Sequence, residues 1–264
     1  MHPALLLLTD SRLPAGGHAH SGGTERAVAS GAVHDVPSLA SFLRGRLHTA
    51  GTLAAALTAA ACTEAARLAP SPPPGTAPSL QPNAAPSPQH GSAPHPAPRR
   101  RDVDGAQPTD TPNPWLVLDA EVDARTASPA QRDASRTQGR LLLRVARRIW
   151  PAPILDDLAA TIPSPHHPIA LGTAAHTAGA TPEDAALAAA YHAITGPATA
   201  AVRLLGLDPV AVHALLADLA PDLTAVAAQA CLTTDWETLP AYSSPALDLL
   251  AEQHAQAEVR LFIS

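Results

Sequence analysis

Apolar side chains recur at steps of three and four residues along most of the chain, which is the spacing of one face of an α-helix. The clearest example lies within residues 38–69, where this face comprises Leu39, Leu43, Leu47, Ala50, Leu53 and Leu57. No alternating run of Val, Ile or Thr reaches the length of a strand. The pattern predicts an all-α fold: a single globular bundle of about eight to ten helices within residues 1–264.

Capping residues followed by proline mark the starts of four predicted helices. The four pairs are Ser128-Pro129, Thr181-Pro182, Asp208-Pro209 and Ser244-Pro245. A side-chain oxygen at such a position accepts an otherwise unpaired backbone N–H, and proline tolerates the first helical position. Gln131 is placed to complete a capping box with Ser128, and Asp184 puts negative charge at another helix start. Glycines are expected to end three helices, at Gly31, Gly196 and Gly206.

Residues 70–114 interrupt the helical pattern. This stretch holds 14 of the 29 prolines, and Ser, Ala, Gln and Gly fill most of the space between them. Proline removes backbone donors, and too few large apolar groups are present to offset the entropy of ordering the chain. We therefore expect residues 70–114 to be a disordered insertion in a surface loop.

Composition narrows the classes of function. Seventeen basic residues against 23 acidic ones give a formal net charge of −6, which argues against a general nucleic-acid binder. No apolar run of 18 residues exists, so we expect neither a membrane span nor a membrane partner. Two cysteines do not make a disulfide framework, and a reducing cytoplasmic location is the default expectation.

The N-terminal segment carries two glycine pairs, Gly16-Gly17 and Gly22-Gly23. It lacks the Gly-Lys-Ser/Thr ending of a phosphate loop. The glycines are expected to allow tight turns between two short helices, which are predicted at residues 3–9 and 24–30. Asp10 and Ser11 are expected to hold the first turn through bonds from side chain to backbone.

His18 and His20 in this segment form an H-x-H pair, which could contribute to a site for nickel or zinc. A strong site needs three or four ligands, so structural, hydrogen-bonded histidines are the favoured interpretation and no stable metal site is predicted. The chain also lacks the H-E-x-x-H, C-x-x-C and G-x-S-x-G signatures. We therefore expect a protein that is not an enzyme.

Arginines recur every four residues in the helix predicted after Pro129. The series is Arg132, Arg136, Arg140, Arg144 and Arg148. Steps of four residues place these side chains on a slowly drifting ridge. The ridge is interpreted either as a solvated face paired with the acids Asp119, Glu121 and Asp123, or as a basic face for an acidic protein surface.

The chain closes on apolar side chains and an arginine, in the order Arg260, Leu261, Phe262, Ile263 and Ser264. An unattached tail would be expected to be polar and frayed. Two interpretations are equally supported by these residues: the tail docks on its own domain, or it becomes ordered on a partner.

Three motifs together resemble the UreF family of urease accessory proteins. The first is D-S-x-L-P-x-G-G-x-x-H-S-G-G-x-E, here Asp10, Ser11, Leu13, Pro14, Gly16, Gly17, His20, Ser21, Gly22, Gly23 and Glu25. The second is R-x-A-S-x-x-Q-G-R, here Arg132, Ala134, Ser135, Gln138, Gly139 and Arg140. The third is a histidine followed by R-L-F-x-S, here His254, Arg260, Leu261, Phe262 and Ser264. Their order and spacing match across nearly the whole chain outside residues 70–114.

The resemblance implies an all-helical, dimeric, cytoplasmic and non-catalytic protein. Proteins of this family join a UreD/UreH-type accessory protein and the nickel GTPase UreG, and the assembly delivers nickel to apo-urease. The resemblance thus implies an adaptor that modulates the GTPase and has no intrinsic cofactor, with nickel in transit at most. The alternative is a metallochaperone that binds nickel itself, with His18 and His20 as weak candidates.

The resemblance also implies roles for particular residues. The family tail orders against the UreD/UreH partner, which favours the partner interpretation of the closing segment. The partner-binding candidates are His254, Arg260, Leu261, Phe262, Arg132, Arg136 and Arg140. The remaining motif residues are expected to be structural or to lie at interfaces.

Overall fold

A computed structural model describes residues 2–69, 112–232 and 238–263, except for the side chain of His18. The described residues contain twelve α-helices and no strand, which confirms the all-α prediction. The helices are α1 (Ala4–Leu8), α2 (Thr24–Ala29), α3 (Val36–Arg46), α4 (Thr52–Leu68), α5 (Pro114–Arg125), α6 (Pro129–Ile149), α7 (Pro153–Thr161), α8 (His167–Thr177), α9 (Pro182–Leu205), α10 (Pro209–Asp218), α11 (Ala220–Ala230) and α12 (Pro245–Ala255). The number exceeds the expected eight to ten partly because a π-helical turn, Leu47–Gly51, divides the long helix expected over residues 38–69.

The described residues within 1–69 and 113–264 form one compact unit. Most of the predicted disordered insertion, residues 70–111, lies outside the described residues. Its predicted end at residue 114 is wrong, because α5 begins at Pro114. The Oδ1 atom of Asn113 accepts the N–H of Trp115 at 2.9 Å, so Pro114 occupies the first position of a capped helix.

Three helices rich in small residues, α4, α8 and α9, form the centre of the unit. Half of the side chains that α4 buries are alanines, and the short side chains let helix axes approach closely. Gly172 of α8 lies against the backbone of α4, where an added Cβ would overlap the carbonyl oxygen of Thr58. A Cβ added to Gly139 of α6 would likewise overlap the carbonyl oxygen of Pro165, just before α8 begins.

The predicted helix starts are largely confirmed. Ser128 accepts the N–H of Gln131 at 3.1 Å, and Asp208 accepts the N–H of Val210 at 3.0 Å. Thr181 forms a full capping box with Asp184. Two details of the prediction were wrong. The side chain of Gln131 does not close a box but donates to Asp248 Oδ1 at 3.1 Å, and α12 begins at Pro245 without a side-chain cap from Ser244.

Two of the three predicted glycine stops are confirmed. Gly206 ends α9 in the left-handed conformation, and Gly31 follows α2 with a φ of 77°. The stop predicted at Gly196 is wrong, because α9 continues through Gly196 and Pro197. Proline cannot donate to the carbonyl four residues earlier, that of Ala193. Arg46 Nε donates to this carbonyl instead, at 2.8 Å, and so replaces the missing partner.

Among the described residues, no single helix is long and apolar enough to cross a membrane. The pair α10 and α11 reaches the required length and composition only when taken together, and it is bent by 45°.

The two glycine contacts predict a strong sensitivity to one added methyl group. Gly139→Ala and Gly172→Ala each push a Cβ into backbone atoms, and we expect each to lower the free energy of unfolding by about 1–3 kcal/mol. Gly45→Ala is the matched control, because Gly45 lies in α3 with open space around it. That variant is expected to gain about 0.5–1 kcal/mol from helix propensity. Urea denaturation followed by circular dichroism measures all three, and wild-type stability in Gly139→Ala and Gly172→Ala would contradict the packing argument.

Candidate functional site: the C-terminal tail and the cavity beside it

The carboxylate of Glu25, in the first turn of α2, holds the C-terminal tail, residues 256–263. Glu25 Oε1 accepts the N–H of Leu261 at 2.8 Å, and Oε2 accepts the N–H of Phe262 at 3.2 Å. The N–H of Ile263 donates to the carbonyl of Ala19 at 2.7 Å. The tail is therefore docked on its own domain, mainly through its backbone.

His254, near the end of α12, makes a further contact with the tail. Its Nε2 atom lies 3.2 Å from the carbonyl oxygen of Phe262. A carbonyl only accepts hydrogen bonds, so this nitrogen carries the proton. The other ring nitrogen, Nδ1, lies 3.7 Å from Glu25 Oε2, and the whole ring is buried. His254 thus links α12, α2 and the tail.

Side chains of the tail point in two directions. Phe262 is 9% exposed, and the guanidinium of Arg203 lies 5.8 Å from its ring centroid. Charge above an aromatic face is a favourable arrangement. Val259, Leu261 and Ile263 face solvent and are 85%, 76% and 60% exposed. Of the predicted partner-binding residues of the tail, His254 and Phe262 are thus buried, whereas Arg260 and Leu261 are accessible.

Glycines with positive φ shape the loop that precedes Glu25. Gly16, Gly22 and Gly23 have φ values of 78°, 59° and 89°, which side chains rarely allow. The fourth glycine of the two pairs, Gly17, begins a short 3₁₀ turn instead. The loop is also held from α3, because Arg46 Nη1 donates to the Gly22 carbonyl at 2.8 Å.

Other residues of the first motif have identifiable places in the structure. Asp10 accepts the N–H of Arg12 at 2.8 Å, as expected for a residue that holds a turn. Ser11 is exposed and makes no such bond within the described residues. Ser21 is buried and its hydroxyl accepts the N–H of Glu25 at 3.4 Å, and His20 is buried nearby. Pro14 lines a small surface pocket.

A cavity of about 1180 Å³ lies beside the tail and α12. Leu247 and His254 of α12 and Phe262 of the tail contribute to one part of its wall. Gln138 of α6 lines it as well. The histidines that line it include His20, His167 and His192, of which the last two have ring centroids 5.9 Å apart. His18, the other weak metal candidate, has no described side chain.

The protein environment keeps two of these imidazoles neutral. Loss of water, and then the neighbouring rings of His192 and His20, lower the pKa of His167 to about 3. Loss of water lowers the pKa of His192 to about 4, although a hydrogen bond with the backbone of Leu8 opposes this shift. A neutral imidazole keeps one nitrogen lone pair free, which is the form that binds borderline metals such as nickel.

The second motif holds α5, α6 and α8 together. Ser135 accepts the N–H of His167 at 3.1 Å, directly beside the Gly139 contact. Arg136 donates to the carboxylates of Asp119 and Asp123 at 2.8 and 2.7 Å. Arg132 donates to the carbonyls of residues 126 and 127. Two of the three arginines predicted to bind partners are therefore engaged within the chain, whereas Arg140 is exposed.

Asp119, Asp123 and His166 form a cluster, of which the sequence pattern predicted the two acids as partners of the arginine ridge but not His166. Their ligand atoms lie within 4.8 Å of one another, the usual sign of a possible metal site. The guanidinium of Arg136 already pairs with both carboxylates, and His166 Nε2 lies 2.9 Å from Asp123 Oδ1. Burial alone raises the pKa of Asp123, but hydrogen bonds from His166 and Arg136 outweigh it and lower the pKa. The cluster is an ion-pair network, and the four-residue step from Asp119 to Asp123 was its sequence signal.

The lowered pKa values of His167 and His192 predict a dependence of stability on pH. Both values lie below the ordinary value of about 6.5, so the unfolded chain binds more protons than the folded one. The contribution of these two neutral rings to the free energy of unfolding is complete above about pH 6.5. It is lost as the pH falls toward the pKa values of the folded state. At about pH 5 we expect a loss of about 1–2 kcal/mol for each ring.

Urea denaturation at a series of pH values measures this effect. The double variant His167→Asn/His192→Asn is expected to flatten the dependence between neutral pH and about pH 5. Tyr191→Phe is the matched control, because Tyr191 lines the same cavity and the substitution leaves both histidines in place. An unchanged slope in the double variant would show that other groups cause the acid sensitivity.

Comparison with known proteins places the chain in a family. The family model for UreF matches residues 33–220. The urease accessory protein UreF of Mycolicibacterium vanbaalenii is 40% identical over 260 residues, which are 98% of this chain and 97% of that protein. The proteins of the same name from Mycobacterium marinum and Mycobacterium tuberculosis, with the same coverage, are 40% and 36% identical. The resemblance seen in the three motifs is thus confirmed, and the chain belongs to the UreF family.

Proposed function

We propose that this chain is a non-catalytic adaptor in urease maturation, which joins a UreD/UreH-type protein to a UreG-type nickel GTPase. In this assembly the chain modulates the GTPase while nickel passes to apo-urease. Membership of a family of urease accessory proteins supports the maturation role. The observation that carries the adaptor role is the tail, which exposes three apolar side chains while its backbone is held on Glu25.

The docked tail combines the two interpretations that its sequence left open. Phe262 and His254 fix the tail on its own domain, and this contact gives the segment a defined shape. Val259, Leu261 and Ile263 are exposed on the outer side of the same segment, where a partner can contact them. Prior ordering reduces the entropy that binding would cost. The proposed occupant of this outer side is the UreD/UreH-type protein.

We further propose that the adaptor is a cytoplasmic homodimer. A closed two-fold dimer would present two tails and so bind two copies of the UreD/UreH-type partner. The support for dimerisation is family membership. Both cysteines, Cys62 and Cys231, are free thiols, as is usual for proteins in a reducing compartment.

Variants of the outer side of the tail test this proposal. Leu261→Ser/Ile263→Ser removes apolar contact while keeping the backbone bonds, and we expect at least a tenfold loss of affinity for the UreD/UreH-type protein, about 1.4 kcal/mol or more. Val210→Ser is the control, because Val210 is 75% exposed on α10. Size-exclusion chromatography with light scattering, in the presence of the cognate partner and GTPase, measures complex formation and the number of copies of this chain.

Two further variants separate docking from binding. Glu25→Ala removes the acceptor of two tail N–H groups, and a chain ending at residue 255 removes the tail altogether. Both are expected to retain the helical circular dichroism spectrum and to bind the UreD/UreH-type protein less tightly. Full complex formation by the truncated chain would refute the adaptor role of the tail.

A nickel-binding metallochaperone is the second candidate function. The observation that favours it is the group of histidines lining the cavity, two of which are held neutral. Under this alternative nickel binds to the chain itself with His20, His167 and His192 as ligands, whereas the adaptor needs only passage of the ion.

Calorimetric titration of the purified chain with nickel distinguishes the two functions. For an adaptor we expect binding weaker than micromolar, and the same heats in His167→Asn/His192→Asn. A site tighter than micromolar that is lost in the double variant would favour the metallochaperone. The Tyr191→Phe variant again serves as the control for changes in the cavity wall.

A further inference from the structure

The arginine ridge of α6 divides into two parts in the structure. Arg132 and Arg136 bind carbonyls and carboxylates of their own chain, and Arg147 on the neighbouring face pairs with Asp156. Arg140, Arg144 and Arg148 are exposed. No ion pair or hydrogen bond to these three side chains occurs within the parts of the chain that the structure describes. We call Arg140, Arg144 and Arg148 the basic strip.

The basic strip is a regular array of positive charge. Four-residue steps advance about 6 Å along a helix, so the three Cα atoms span about 12 Å with a drift of about 40° per step. Like charges at this spacing repel one another and destabilise an isolated helix. The chain as a whole has a formal net charge of −6, and carboxylates neutralise Arg136 and Arg147. The strip is thus a local positive region on an acidic protein.

An apolar notch lies near the C-terminal end of α6, on a different face of the helix from the strip. Ile149, the residue after Arg148, is 45% exposed, and Leu7 of α1 is 54% exposed. These two side chains, with Leu13, Pro14 and the ion-paired Asp10 and Arg12, line a pocket of about 230 Å³. The notch is therefore separate from the row of guanidinium groups.

We propose that the basic strip docks an acidic segment of a protein partner, whose carboxylates pair with the three guanidinium groups. Charge complementarity carries this choice: the strip offers three unpaired forks, and guanidinium groups bind carboxylates with two parallel hydrogen bonds. The inference rests on the proposed function in one respect, because the partner is taken to be a component of the urease maturation assembly.

The strip is separate from the surface that the tail presents. Glu252 of α12 contacts the N-terminal end of α6, where it accepts the hydroxyl of Ser128 and the N–H of Ala130. Ala130 precedes Arg140, the nearest residue of the strip, by 10 residues, or about 15 Å along the helix. A partner on the strip and a partner on the tail can therefore bind the same chain together.

Two triple variants of equal charge test the strip. Arg140→Gln/Arg144→Gln/Arg148→Gln removes three positive charges from the strip. Ser41→Glu/Thr224→Glu/Gln229→Glu adds three negative charges at exposed positions on α3 and α11. Each changes the formal net charge from −6 to −9, so an effect of overall charge would be the same in both. Arg140→Lys/Arg144→Lys/Arg148→Lys keeps the charge and removes the planar forks.

Binding kinetics are measured with the purified UreD/UreH-type protein, the GTPase and their mixture, at low and at high salt. We expect the Gln variant to associate with one of them about tenfold more slowly at low salt and to lose most of the salt dependence. The Lys variant should be intermediate, and the Glu control should bind as wild type does.

Distinct results would overturn the proposal. One is an association rate of the Gln variant equal to that of the wild type. Another is slower binding by the Gln variant only to duplex DNA or to phosphatidylserine vesicles, which are measured as anionic controls. If the unaltered chain binds neither protein, the adaptor function itself fails. If it binds and only the Gln variant is indistinguishable from it, the strip alone is refuted.

Discussion

The guanidinium of Arg46 connects the parts of the structure on which the tail depends. It donates to the carbonyl of Ala193, which Pro197 leaves without its helical partner, and to the carbonyl of Gly22 in the glycine loop. Burial lowers its pKa to about 10, yet at neutral pH the group remains charged. One side chain thus allows α9 to continue through a proline and fixes the loop that leads into α2. The position of Glu25, and with it the docked tail, follows from this contact.

Local rules predicted much of the helical architecture, because they rest on neighbouring residues. Periodicity identified the long helix over residues 38–69, and side-chain caps identified the starts of α6, α9 and α10. The glycine loop was also expected from its composition, and three of its four glycines have positive φ. Family membership, in turn, was carried by motifs whose spacing is visible in the sequence.

The incorrect details arose where a distant residue changed the outcome. Gly196 does not end α9, because Arg46 donates to the carbonyl of Ala193, 147 residues away, which the following proline leaves without a helical partner. Gln131 bonds with Asp248 from a remote helix and so leaves its capping box open. The cluster around His166 forms only when α5, α6 and α8 pack together. Docking of the tail on its own domain likewise depends on Glu25, which lies 236 residues before Leu261.

Docking through the main chain leaves the outer side chains of the tail free to diverge. The bonds to Glu25 and Ala19 use N–H groups, which every residue except proline provides. The inward-facing Phe262 is constrained by packing within the domain. Substitutions at the exposed positions 259, 261 and 263 can therefore accumulate without loss of the docked shape. The outer side of the tail is thus a place where sequences can vary while the helical domain stays the same.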